Sequence, residues 1–168
     1  MFKLDRKRST ALSKLEKMRK RAEAAHRAKI STGINKGEGM HSSGLKYAEL
    51  MAIHHNGVPS QGIPPRPVLS IVTRLYGKLI AKKAKHEVFK YLDGQQSLDH
   101  TLASIGKVSL SYTQDVFGDP TVLPQNAKAT IRIKGRDTPL VDSGELQEHL
   151  SYSYTWKGGE SGNEYTTL

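Results

Sequence analysis

Residues 98–116 read LDHTLASIGKVSLSYTQDV, and along them Leu98, Leu102, Ile105, Ser109, Tyr112 and Val116 step by four, three, four, three and four. That spacing keeps returning to one face of a 3.6-residue helix. The run before it, from Pro67 to Leu92, does the same with Val68, Val72, Leu75, Tyr76, Leu79, Ile80, Val88, Phe89 and Leu92. Only DGQQS, residues 93–97, separates the two. Two long amphipathic helices joined by so short a polar turn lie antiparallel, and they predict a helical hairpin at the centre of the fold.

Working toward the C-terminus, residues 119–139 form a connector rich in proline and polar residues, in which KATIRIKG (128–135) reads as a short strand. In PLVDSGELQEHL (139–150), Asp142 stands three residues before Glu145, the spacing of a capping box that starts a short helix. LSYSYTW (150–156) places Leu150, Tyr152, Tyr154 and Trp156 on one side and Ser151, Ser153 and Thr155 on the other. This is strand alternation, with the aromatic side facing the core. The glycine-rich KGGESGNEYTTL (157–168) is expected to be a flexible tail.

Toward the N-terminus, KISTGIN (29–35) alternates Ile30, Thr32 and Ile34 and predicts a strand, followed by a loop at KGEGMHSSG (36–44). LKYAELMAIHHNGV (45–58) reads as a helical turn running into a strand that ends at Asn56-Gly57. Leu12, Leu15, Met18, Ala22 and Ala25 make a narrow apolar stripe on a helix from Ser9 to Ala28, with Ser9 or Thr10 as its cap. The expected fold is therefore α+β: a small antiparallel sheet packed against a long helical hairpin, with a basic N-terminal helix. Residues 1–28 form that helix, 29–156 the α+β domain and 157–168 the tail.

Composition narrows the function. The chain has 168 residues, 36% of them hydrophobic, no cysteine and a formal net charge of +10. No apolar run approaches the roughly 20 residues of a membrane span, and no thiolate chemistry is available. The charge is concentrated, since residues 1–29 carry 11 Lys or Arg against 3 acidic residues. Arg6, Lys7, Arg8, Lys14, Lys17, Arg19, Lys20 and Arg21 are the candidate contacts to DNA or to an acidic partner.

Chemistry-bearing patterns are sparse. His54 and His55, with His41 nearby, would point to opposite faces of a strand and so do not make a metal site. Asp142, Ser143 and His149 collect the residue types of a hydrolase, but Ser143 and Gly144 are accounted for by the start of a helix. No phosphate-binding glycine loop precedes a Lys-Ser or Lys-Thr pair. The expectation is a protein without catalysis and without a cofactor or metal.

Two segments together carry a family likeness. YAELMAIHHNGVPSQGIPPRPVL (47–69) and TPLVDSGELQEHLSYSY (138–154), with GINKGEG (33–39) ahead of them, resemble the neck and tail-completion, or head-tail joining, proteins of tailed bacteriophages, of the Mu-like virion morphogenesis type. The match rests on Tyr47, Ala48, His54, Gly57, Ile63, Pro64, Arg66, Pro67 and Leu69 in the first segment. In the second it rests on Leu140, Val141, Asp142, Ser143, Gly144 and Leu146. His55 and Val68 depart from the residue types usual at those places.

The resemblance implies a structural virion protein at the head-tail junction, assembled in the host cytoplasm. It implies a homo-oligomeric ring, a hexamer or dodecamer, that meets head-side connector or portal-adaptor proteins, tail terminator, tube or sheath proteins, and double-stranded DNA in its lumen. His54, Gly57, Pro64, Arg66, Pro67, Asp142, Ser143 and Gly144 would be subunit contacts or motif residues of that ring. The alternative, resting on charge alone, is a basic nucleic-acid-binding module without catalysis.

Overall fold

The structure, a computed structural model, describes residues 2–35, 39–157 and 162–165, with the side chains of 2–9 and 162–165 outside the description. The elements run α1 (Phe2–His26), β1 (Lys29–Gly33), α2 (Tyr47–Asn56), a 3₁₀ turn (Pro59–Gln61), α3 (Val68–Asp93), α4 (Leu98–Val116), α5 (Lys128–Lys134), α6 (Glu145–Glu148), β2 (Ser151–Thr155) and β3 (Gly162–Tyr165). The fold is α+β, as the sequence implied.

Helices α3 and α4 form the antiparallel hairpin. Ser97 caps α4 by accepting from the His100 amide at 3.1 Å, and Gly94, at φ 85°, ends α3. A polar staple crosses the turn: the Gln96 amide donates to the Glu87 carboxylate at 2.9 Å and to the Thr101 hydroxyl at 2.7 Å. Higher in the hairpin, Tyr76 and Tyr112 stack with ring centroids 4.4 Å apart.

Strands β1 and β2 pair antiparallel from Lys29↔Thr155 to Gly33↔Ser151, and β3 adds to the other side of β2 from Ser151↔Tyr165 to Tyr154↔Gly162. Part of the expected tail is thus an edge strand; residues 158–161 and 166–168 of it, and 36–38 of the loop before α2, lie outside the described residues. The sheet lies on α4. Tyr152 packs over Gly106, the Thr32 hydroxyl donates to that of Ser109 at 3.0 Å, and the Trp156 indole donates to Asp99 at 2.8 Å.

The main core joins Tyr47, Met51, Val68, Ile71, Val72, Leu110, Val116, Phe117, Leu123, Leu146, Leu150 and Tyr152. A second cluster of Tyr91, Leu98 and Leu102 takes in Ala24, Ala25 and Ala28. Ala24 and Ala25 supply the apolar part of the contact that attaches α1.

Four local expectations are corrected. α1 runs through Ser9 and Thr10 without a cap there, because residues 2–8 contain no glycine or proline to stop a helix. Residues 47–56 are one helix, not a turn and a strand: Tyr47 and Met51, four apart, bury the same face, and AELMA is built from strong helix formers. KATIRIK is helix α5 rather than a strand: the run holds no glycine or proline, and Gly135, left-handed at φ 70°, ends it as a helix terminus. Asp142 does not cap α6. Gly144, left-handed at φ 97°, occupies that position and sets Asp142 out in solvent.

Candidate functional site

The two motif segments, separated by some seventy residues of chain, meet in space. They line a pocket of about 260 Å³ with His41, Leu50, His54, Arg66, Asn126, Lys134, Leu140, Asp142, Ser143, Gly144, Glu145 and Leu146. Backbone geometry is unusual at its rim. Leu140 is held at φ 67°, a conformation that a branched side chain rarely adopts, and such strain gathers at sites where function fixes the chain.

The proline segment reaches this pocket by folding back on α2. Gly57 closes the helix with its amide on the Ile53 carbonyl at 2.8 Å, Val58 and Ile63 bridge, and the Arg66 amide donates to the His54 carbonyl at 2.7 Å. A side chain at Gly57, where φ is 70°, would strike the backbone of Ile63, Pro64 and Pro65. Pro67 is the N-cap of α3, where a missing amide hydrogen costs nothing.

Arg66 points inward. Its side chain, in a residue only 7% exposed, donates from Nε to the Pro124 carbonyl at 2.9 Å and from Nη2 to the Gln125 carbonyl and Asn126 Oδ1, both at 3.2 Å. It clamps the connector before α5. Burial pushes its guanidinium below the usual value, with Asp137 opposing the effect.

Glu145, which the sequence suggested only as half of a capping box, is the hub of the opposite wall. Its carboxylate accepts from the Ser42 amide and hydroxyl, the Tyr47 hydroxyl and the Ser143 hydroxyl at 3.1–3.3 Å, and His41 Nε2 lies at 3.8 Å. The Ser42 amide, foremost among these contacts, holds it below the ordinary carboxylate range despite partial desolvation. The residue types of a hydrolase do not converge. Ser143 turns to Glu145, the His149 ring stacks on Tyr47 at 3.6 Å with Nδ1 2.7 Å from the Glu145 carbonyl, and Asp142 pairs with Lys134 at 3.2 Å.

His54, on a helix rather than a strand, lies beside Arg66. Desolvation first, then Arg66, His41 and Lys134, push its imidazole below the usual value, so it is neutral at neutral pH. Among the described residues no group of three or more His, Cys, Asp or Glu is placed to hold a metal.

The basic residues divide. Lys14 pairs with Asp93 at 2.9 Å, and Arg21 donates to the Leu92 carbonyl at 2.9 Å while its guanidinium covers Gly94, so both fasten α1 to the end of α3. Arg19 reaches Glu23 at 3.7 Å, and Lys17 and Lys20 are exposed. The side chains of Arg6, Lys7 and Arg8 lie outside the description.

Sequence reasoning missed that α3 is itself basic, with six Lys or Arg against two acidic residues. Of these, Arg74, Lys78, Lys82 and Lys85 are exposed. They flank Leu75, Leu79 and Phe89, which are also exposed and fall within about 80° of one another around the helix.

Comparison with protein families, curated proteins and solved structures finds no match to this chain.

Proposed function

We propose that the protein is a structural component of the phage head-tail junction, of the neck or tail-completion class, and works as a ring of identical subunits. One observation carries the assembly part of this reading. Leu75, Leu79 and Phe89 on α3, and Leu12 and Leu15 on α1, stand exposed at 43–61% of their surface in a single chain. Large apolar side chains set in rows on two neighbouring helices are expected where a further subunit covers them. The junction part rests on the motif residues around Arg66 and Asp142, which line one pocket. Head-side connector and tail proteins are the expected neighbours, DNA the expected content of the lumen, and the virion the expected location. No helix among the described residues is long and apolar enough to cross a membrane.

Mass measurement tests it. The wild-type chain should form a closed oligomer of defined mass, and Leu75→Glu with Leu79→Glu should leave a folded monomer. A wild-type monomer at every concentration and ionic strength would remove the ring.

The exposed cations of α1 and α3 favour a second reading, a duplex-binding module held by phosphate contacts. In that case a monomer or dimer binds duplex DNA with a steep salt slope, and Lys78→Glu with Lys82→Glu weakens binding to all sequences alike.

A further inference from the structure

The pocket at the junction of the two motif segments carries an imbalance that the described residues resolve only in part. Arg66 is buried, yet all of its hydrogen bonds go to carbonyl oxygens, and among the described residues no carboxylate lies within ion-pair distance of it. The nearest counter-charge, Asp137, acts on Arg66 only from beyond ion-pair distance and spends Oδ1 on the Asn126 backbone amide at 3.0 Å, so the buried guanidinium is only partly compensated.

Two further atoms in the pocket's lining residues are unsatisfied. His54 Nδ1 and Asn126 Nδ2 are buried and have no hydrogen-bond partner among the described residues. The orientation of the Asn126 amide is fixed by chemistry: arginine only donates, so Oδ1 must face Arg66 and Nδ2 remains a donor without an acceptor. Buried groups of this kind are few in native proteins, and two at one pocket beside a strained Leu140 are a concentration.

Beyond Asp137, the two carboxylates in the lining do not add to this compensation. Glu145 is occupied by Ser42, Tyr47 and Ser143, and Asp142, whose side chain is 84% exposed, holds Lys134 only from the solvent side. An exposed pair of that sort is weak and readily exchanged. Lys134 itself is mostly buried, and also donates to the Val141 carbonyl at 3.0 Å.

We infer that this pocket is an oxyanion site, taking one carboxylate or phosphate group between Arg66, Lys134, Asn126 and His54. The bound group neutralises Arg66, gives Asn126 Nδ2 its acceptor and displaces Asp142 from Lys134. The volume of about 260 Å³ suits a small anion or the tip of an acidic side chain, not a nucleotide. The site itself does not require the assembly reading, since all of its residues belong to one subunit; only the source of the bound group does.

The test uses the full chain, titrated with sodium acetate and with sodium phosphate against sodium chloride at equal ionic strength. Acetate or phosphate should raise the melting temperature saturably, and should shift the Asn126 side-chain amide and His54 ring resonances where chloride does not. Lys134→Met should weaken the effect about tenfold. Asn126→Asp places a carboxylate where Arg66 already donates; it should raise the melting temperature and abolish the response to acetate.

The source of the group is decided in the same titration: acetate that lowers oligomer mass points to an acidic side chain from another subunit, and unchanged mass points to a free anion. Resonances that move no further with acetate or phosphate than with chloride would overturn the site. So would a stabilisation that persists undiminished in both variants.

Discussion

The ring of Tyr152 on β2 lies against Gly106 on α4, so closely that a Cβ at position 106 would collide with it. The contact sets how near the sheet approaches the helical hairpin. Gly106→Ala gains about 1 kcal/mol of helix propensity but forces the sheet away, and a net loss of about 2 kcal/mol is expected. Urea denaturation measures it. Adding Tyr152→Leu should recover part of the loss; a single variant as stable as wild type would show that the sheet is free to shift.

Glu87 is 2% exposed and accepts from Lys83 Nζ at 2.9 Å, Lys90 Nζ at 3.4 Å and the Gln96 amide at 2.9 Å. The Lys83 hydrogen bond, then Gln96, bring its carboxyl from 4.5 down to about 2 against the opposing effect of burial. A depressed carboxyl stabilises the folded state above its unfolded value. That contribution fades as pH falls from about 4.5 toward 2. Wild type should therefore lose stability steeply over this interval, and Glu87→Gln should flatten the acid limb. Parallel pH profiles for the two proteins would contradict the assignment.

Arg66 holds the connector through a planar fork of hydrogen bonds. Arg66→Ala takes the side-chain donor from the Pro124 and Gln125 carbonyls, removes a buried side chain and should cost about 2 kcal/mol. Lysine lacks the fork, so Arg66→Lys should recover less than half. Hydrogen exchange should quicken first at residues 124–134. If Arg66→Lys were as stable as wild type, charge alone would explain the residue.

Asp142 and Glu145 are separated by only three positions but should respond differently. Asp142→Ala removes an exposed partner of Lys134 and should leave the melting temperature unchanged within error. Glu145→Ala removes the acceptor shared by Ser42, Tyr47 and Ser143, and should lower it clearly. The reverse order would restore Asp142 as the cap.

Periodicity was enough to place α3, α4, β1 and β2 as elements, because apolar residues repeat with the period of the backbone, but on α3 it also counted Leu75, Leu79 and Phe89, which lie exposed. It misled at 47–56 and 128–134, where short runs satisfy both periods. At 47–56 the choice fell to a long-range fact: Tyr47 had Glu145 and His149 to meet.

The candidate site was legible only as two separate motifs. Sequence supplied Arg66, His54 and Asp142 to Gly144, but not their roles, and gave no sign of Asn126, Lys134 or the hub at Glu145.

By itself the sequence determined the α+β class, the hairpin, the basic N-terminal helix and the stiff proline entry to α3, since each follows from local spacing or from fixed backbone angles. Only the tertiary structure decided that Arg66 turns inward, that Lys14 and Arg21 are spent on docking α1, and that the two motifs share one pocket. Those outcomes depend on which groups burial brings together. Chain separations of about sixty residues between Arg66 and its partners leave no mark on local pattern.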